Sequence, residues 1–511
     1  MAKKKTAPAK PATKSKTVDG AHVRMYRIGT GDCFVVKFLA GKTETFKMMI
    51  DCGAWQGSKE VFTEHVTDLK KYVGDGVDVL VVTHEHKDHV LGFELCEKLF
   101  TKDFKVGETW MSWAEEDGAP AVEKLKKEHG AKKKALAAAG GLMARAVNDP
   151  AFHRDQNERH MGGQLLKAQE RFAASVSGFV DLHMDADLAA AGGEYIGPLK
   201  GMAVVKDQIA AKGIRHFKPG DIIDDMPGLK GVRIYVLGPP KSWESIKKED
   251  SAEEGETYDH NKELAGSDAF AAAVNAFSGN GGAGGTLPFD RSFETDMTAA
   301  HPYENEADAW RRIDNDWLMS AGSLALRLNT GINNLSLALA IEFIESGRVM
   351  LFPGDAEYGS WATWHDIPWK TKGRGKNDDG SPKHLTEDLL NRTVFYKVAH
   401  HLSHNGTAKR KGLEMMTHDD LAAMATLDYS VISKDWKNTM PNQGIISDLL
   451  NQTKGRLMVM NTKDLFADAK KTRELAPEIE KARRRMSAAE KKEFEAAHDE
   501  SDLWIDYRVK G

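Results

Sequence analysis

The sequence predicts an α/β chain interrupted by helical insertions, on three observations. Short apolar runs closed by turn residues alternate with an amphipathic helical segment. The densest group of ligand-type side chains, Thr83-His84-Glu85-His86-Lys87-Asp88-His89, follows directly on one of those runs. Two long stretches, at about 115–200 and 242–330, lose the strand pattern.

The elements follow in order. Residues 1–20 are rich in Lys, Ala, Pro and Thr and lack the apolar segment of a secretory signal. They are expected to form a disordered basic tail. Residues 23–28 and 33–38 read as strands around the turn Gly29-Thr30-Gly31-Asp32, and 47–50 as a third that closes at Asp51-Cys52-Gly53. Residues 60–72 have helical amphipathic spacing. The Val-rich run 77–82 suits a buried strand. Ala, Lys, Glu and Arg dominate 124–139 and 164–175, which predicts a helical insertion. Residues 232–237 return to strand character. The stretch from 242 to 316 is polar, with a Gly-rich run at 279–285, and predicts a long excursion. Residues 335–344 and 348–352 predict paired strands around Glu345-Ser346-Gly347. Residues 394–399 predict a strand ending at His400-His401. The main domain is expected to span 21–465, and 466–511 to form a charged helical extension.

Composition bounds the function classes. The chain has 511 residues, of which 41% are apolar, as in an ordinary globular protein. No stretch approaches the roughly 18 apolar residues of a membrane span. The three cysteines, Cys33, Cys52 and Cys96, are too few for a disulfide framework and match no Cys-based zinc spacing, so a reducing, cytoplasmic setting is expected. A net charge of −5 leaves room for a local basic patch.

The cluster at 84–89 carries the chemistry. A turn leaving a rigid strand can aim four such side chains into one small volume. Imidazole nitrogen and carboxylate oxygen suit zinc, and also manganese or iron. One ion is expected at His84 and His86, a second at Asp88 and His89. Other candidates also stand at strand ends. Asp355 is either a carboxylate bridging two ions or a turn residue after Gly354. His400 and His401 are either ligands or surface histidines. Asp51 either orients a ligand histidine or caps a tight turn. Ligands at the carboxyl ends of several strands are what a site at a sheet edge requires.

With these residues assembled, the chain resembles the metallo-β-lactamase superfamily. The motifs run Asp-x-Gly (Asp51 to Gly53), His-x-His-x-Asp-His (His84 to His89), Gly354-Asp355 and a late His. Within it, the chain is similar to the branch typified by the hydrolase domain of the competence protein ComEC. Gly29-Thr30-Gly31-Asp32-Cys33-Phe34, Lys218-Pro219-Gly220-Asp221, Asn333-Asn334-Leu335-Ser336 and Lys397-Val398-Ala399-His400-His401 carry that likeness. The resemblance implies an αββα sandwich with two divalent metal ions at one edge, zinc or else manganese. It implies first-ion ligands at His84 and His86, second-ion ligands at Asp88 and His89, a bridging carboxylate at Asp355 and a late ligand at His400, with His401 one register away. The chain departs from the family where Asn333 and Asn334 stand in place of a histidine near the bridging Asp. It departs again at His404, an extra imidazole that either acts near the site or lies on the surface.

A two-metal site activates water for hydrolysis, with Asp88 placed to orient it. The resemblance implies phosphodiesters, and so a nuclease or phosphodiesterase. A small ester, lactone, thioester or phosphocholine-like substrate is the alternative, and a non-catalytic partner subunit that keeps the fold is a third. Basic segments at 124–134, 370–376 and 409–411 would follow a nucleic-acid backbone if they face the site, and the insertions would offer docking surfaces for a protein partner.

Overall fold

The computed structural model describes residues 17–148, 180, 182–183, 199–248, 256, 321–430, 440–461, 466–468, 471–473 and 475–511. Its strands are β1 Gly20–Tyr26, β2 Phe34–Ala40, β3 Thr43–Ile50, β4 Gly76–Val81, β5 Lys105–Ser112, β6 Ile214–Phe217, β7 Ile222–Ile223, β8 Val232–Val236, β9 Leu339–Phe343, β10 Val349–Phe352, β11 Thr393–Lys397, β12 Ala422–Asp428, β13 Leu457–Asn461, β14 Phe466–Asp468, β15 Lys471–Arg473, β16 His498–Glu500 and β17 Trp504–Lys510. One sheet runs β16-β17-β1-β2-β3-β4-β5-β6 and a second runs β13-β12-β11-β10-β9-β8-β7. β14 and β15 form a separate ribbon.

Both large sheets are mixed. The first is antiparallel from β16 to β3 and parallel from β3 to β6. The second is parallel from β13 to β10 and antiparallel from β10 to β7. Side-chain alternation makes them face each other. Phe34, Val36 and Phe38 of β2 and Val79 and Val81 of β4 share one apolar core with Val236, Met350, Phe352 and Phe395 of the second sheet. The intervening Val35, Met49 and Leu80 point outward onto Phe62, Val66 and Leu69 of the helix Lys59–Val73. On the far side Val349, Leu351 and Tyr396 meet Trp361, Trp364, Leu389 and Leu449 of the outer helices. The layers are therefore helix, sheet, sheet, helix: an α/β sandwich.

The structure moves several expected boundaries. β1 begins at Gly20, and Val18 is already buried and bonded to Lys230, so the tail ends earlier than residue 20; residues 1–16 lie outside the described residues. Of the predicted strand 335–344 only Leu339–Phe343 is extended, and it follows a helix over Ala321–Asn333. In the first insertion Pro120–Asn148 is helical as expected, whereas 164–175, and 279–285 of the second insertion, lie outside the described residues.

The C-terminal segment contains the helices Leu475–Arg483 and Ala488–Ala497 but is not an appendage. β17 pairs with β1 from Gly20↔Lys510 to Tyr26↔Trp504. Ile505, Tyr507 and Val509 are buried in the inter-sheet core, and Arg508 and Lys510 are exposed. This period of two is what a half-buried strand needs. Among the described residues no helix is long and apolar enough to cross a membrane.

Candidate metal centre

The parallel halves of the two sheets end side by side, and the ligand-type residues leave those ends. Asp51 follows β3, the segment from Thr83 to His89 follows β4, Asp355 follows β10, and His400 and His401 follow β11. Three backbone segments must touch for this to work. Asp32 N–H donates to Asp88 O, Gly53 N–H to Asp32 O and Cys52 N–H to His89 O, each at 2.9 Å. Glycine is required there: a Cβ on Gly31 would lie 2.5 Å from Asp88 O, and one on Gly53 2.3 Å from His89 N. Gly31 also has a positive φ of 149°.

Asp32, His89, Asp355 and His401 are all buried, and one ligand atom from each lies within 4.8 Å of the others. His89 Nε2 and His401 Nε2 each stand 3.0 Å from Asp355 Oδ2. Asp88 Oδ2 lies 3.1 Å from His401 Nε2, and Asp88 Oδ1 lies 3.8 Å from His89 Nε2. Asp51 faces the other side of His89, with its Oδ2 2.8 Å from Nδ1. It also accepts from Thr83 N–H at 2.8 Å and from Thr83 Oγ1 at 2.6 Å. It therefore fixes the ring and aims Nε2 at Asp355. His401 is held the same way, its Nδ1 2.8 Å from Thr426 Oγ1 and 3.1 Å from Thr426 O.

The fit to a cation can be tested on orphaned atoms. Among the described residues, His86 Nε2 and Asp88 Oδ1 are buried without a hydrogen-bond partner, and His89 Nε2 and Asp355 Oδ2 have only the ligand-type atoms around them. Buried polar atoms are nearly always satisfied, and a bound ion is one of the few things that accounts for those that are not. The donor set, imidazole with carboxylate, suits zinc or manganese. The residues fit a divalent ion.

The electrostatics agree with a site built for positive charge. Burial alone would lower both imidazoles, yet Asp355, Asp88 and Asp51 hold His89 well above its ordinary value, and Asp355 and Asp88 raise His401 to about 9. Burial would raise Asp355, but His401, Lys397 and His89 keep it well below the usual carboxylate range. Lys397, itself buried, sits 2.5 Å from Asp32 Oδ2 and 2.9 Å from Asp355 Oδ1. Burial and neighbouring imidazoles push His84 and His86 down, so both are neutral and able to present lone pairs. Their Nε2 and Nδ1 atoms are 3.0 Å apart.

The late histidine that reaches the carboxylates is His401, not His400. His400, His401 and Leu402 are successive left-handed residues, with φ of 47°, 48° and 66°. That twist turns the His401 ring to Asp88 and Asp355. It turns His400 away, with its Nδ1 3.2 Å from Asn405 Oδ1 and 3.3 Å from Glu357 Oε1. Only the His400 backbone N–H reaches Asp355, at 3.2 Å, and burial lowers its imidazole to about 4.

Asn334 is structural: its Oδ1 accepts from Glu357 and Ser360 N–H, and its Nδ2 donates to Ile246 O and Lys248 O. Asn333 donates to Glu357 Oε1 at 2.7 Å, with its Nδ2 3.2 Å from His400 Nε2. Its buried Oδ1 has no hydrogen-bond partner among the described residues. His404 is half-buried and opposes protonation of His400. Sequence reasoning missed Asp32 as a ligand. Its signal was the Gly29-Thr30-Gly31-Asp32 turn, noticed only as part of a motif.

The basic segments divide. Lys126, Lys132 and Lys133 are paired with Asp117, Glu128 and Glu85. Lys370, Lys372 and Lys376 are exposed, whereas Trp361 and Trp364 are buried in the outer core. No protein-family model, no curated protein and no solved structure matches this chain.

Proposed function

We propose that this protein is a divalent-metal-dependent hydrolase of the metallo-β-lactamase type, ComEC-like, acting on phosphodiesters. The observation that carries the reading is the buried convergence of Asp32, His89, Asp355 and His401 beside Asp88. An ion held there would supply Lewis acidity and a nucleophilic water at neutral pH. The chain's own residues do the rest. Asp51 and Thr426 lock the two imidazoles. Lys397 offsets the charge of Asp32 and Asp355. Asp88 Oδ1, buried and without a hydrogen-bond partner among the described residues, takes the proton of the attacking water. The phosphodiester assignment draws on the motif order His84 to His89, Asp355 and His401, together with the exposed lysines at 370–376.

One observation favours a second reading, a small ester, lactone or thioester substrate: the lysines of 124–134 that the sequence offered to a phosphate backbone are in part neutralised by Glu85, Asp117 and Glu128. The test is to measure bound metal on the purified full chain, then to incubate it with single- and double-stranded DNA, RNA, a bis-nitrophenyl phosphodiester, a lactone and a thioester. Phosphodiester turnover lost in Asp88→Ala supports the first reading. Turnover of the lactone or thioester alone supports the second. Phosphodiester turnover that survives Asp88→Ala removes the site assignment.

A further inference from the structure

The parallel strands β10, β11, β12 and β13 have two ends. The candidate ligands Asp355 and His401 leave one of them. The other, where the strands begin, holds a cavity of about 460 Å³. Arg348, Asp420 and Arg456 stand just before β10, β12 and β13, and the helix Ala488–Ala497 and the last residues of β17 complete the lining. Small-molecule sites occupy roughly 300–1,000 Å³ and combine apolar walls with a few polar groups. This cavity has both.

Its floor is apolar. Val394, Phe494, Tyr507 and Val509 are at most 8% exposed and belong to the inter-sheet core. The Tyr507 ring packs on Phe395 and Phe494, with centroids 6.4 and 6.0 Å away, so its position is fixed. Its hydroxyl makes no hydrogen bond among the described residues. Burial raises its pKa to about 12, so the oxygen keeps a proton to donate.

The polar groups around this floor are unbalanced. Each carboxylate of the lining already holds a cation. Asp420 takes Arg348 at 2.7 Å, Glu490 takes Arg456 at 3.2 Å, and Glu493 takes Lys510. The donors are not all engaged. Arg348 gives Nη2 to Asp420, but its buried Nε has no hydrogen-bond partner among the described residues. Lys492, also in the lining, has no ion pair among the described residues. A buried donor without an acceptor is costly. What the cavity lacks is therefore an acceptor, and its surplus charge is positive. A guanidinium beside a phenol hydroxyl suits a carboxylate, and the floor suits a hydrocarbon.

We propose that this cavity binds a small amphipathic carboxylate, its acid group held by Tyr507 and Arg348 and its hydrocarbon laid on Val394, Phe494 and Val509. The site lies at the opposite end of the strands from the metal centre and does not depend on the hydrolase reading. The test titrates the full chain calorimetrically with octanoate, with octanol as its uncharged counterpart and with acetate as its head alone. Octanoate should bind one to one and at least ~10-fold more tightly than octanol or acetate. Tyr507→Phe removes only the hydroxyl, and should weaken octanoate about 10-fold while leaving octanol unchanged. His401→Ala should leave octanoate binding unchanged, which separates this site from a carboxylate held by a metal ion. No saturable octanoate binding up to about 10 mM, or equal affinity in the parent and Tyr507→Phe, overturns the proposal. Octanoate binding that is lost in His401→Ala overturns it as well.

Discussion

Lys397→Met should be among the most damaging single changes in this protein that touch no ligand histidine. Lys397 Nζ lies 2.5 Å from Asp32 Oδ2 and 2.9 Å from both Asp355 Oδ1 and the Gly354 carbonyl, and all these side chains are about 1% exposed. Removing one partner of a buried ion pair costs about 3–5 kcal/mol, because the other charge remains buried. Asp355 keeps two imidazoles at 3.0 Å, which places its share low in that range. Asp32 has no comparable cation, since its nearest imidazole contact is His89 Nδ1 at 3.8 Å. The orphaned Gly354 carbonyl adds roughly 1 kcal/mol. The expected loss is about 4 kcal/mol, read from urea titrations of the metal-free full chain. Adding Asp32→Asn should recover about half of it, as strongly coupled neighbours do. Zinc should stabilise the single variant more than the parent, because a bound cation supplies the missing charge. A loss below about 1 kcal/mol, or strictly additive single and double variants, would refute the view that this lysine holds the carboxylates together.

Three further outcomes are expected. His401→Ala should weaken zinc binding at least ~100-fold by isothermal titration, with His400→Ala changing it less than ~10-fold; the reverse order would restore His400 as the ligand. Asn334→Ala strands two buried N–H groups and two carbonyls and should cost about 3 kcal/mol in chemical denaturation while leaving metal stoichiometry unchanged. The third concerns pH. His401 is raised from 6.5 to about 9, so the stability it contributes is complete below pH 6.5 and is lost as pH climbs through 9, and His89, raised in the same direction, adds to that loss. The metal-free protein should weaken across that window in a pH series of denaturation curves, and a rise there would contradict the arrangement of carboxylates around these rings.

Much of the site was legible because its grammar is local. The residues from His84 to His89 sit on one turn after one strand, and strand ends at Asp51 and Asp355 announce themselves through Gly and apolar runs. What was not legible depends on distant geometry. The choice between His400 and His401 turns on three consecutive left-handed residues, which no propensity foretells at His-His-Leu. Asp32 becomes a ligand candidate only when β2, β3 and β4 are in register. β12 reads Ala-Ala-Met-Ala-Thr-Leu-Asp, too poor in β-branched residues to declare itself, and β5 carries a glycine. The last strand was hidden by the charged helices before it, although its alternation from Ile505 to Val509 was present to be read.

The pairing of β1 with β17 has a consequence for how this chain comes into being. Among the described strands β1 is made before all the others and its partner β17 after them, with more than 470 residues between the two. Until residues 504–510 arrive, β1 can pair only with β2, and its other edge offers a row of free backbone groups to any passing strand. The first sheet therefore cannot close until β17 has been made, and its completion is a long-range event of the kind that folds slowly. A chain truncated before residue 504 would carry every candidate metal ligand and an open, aggregation-prone seam.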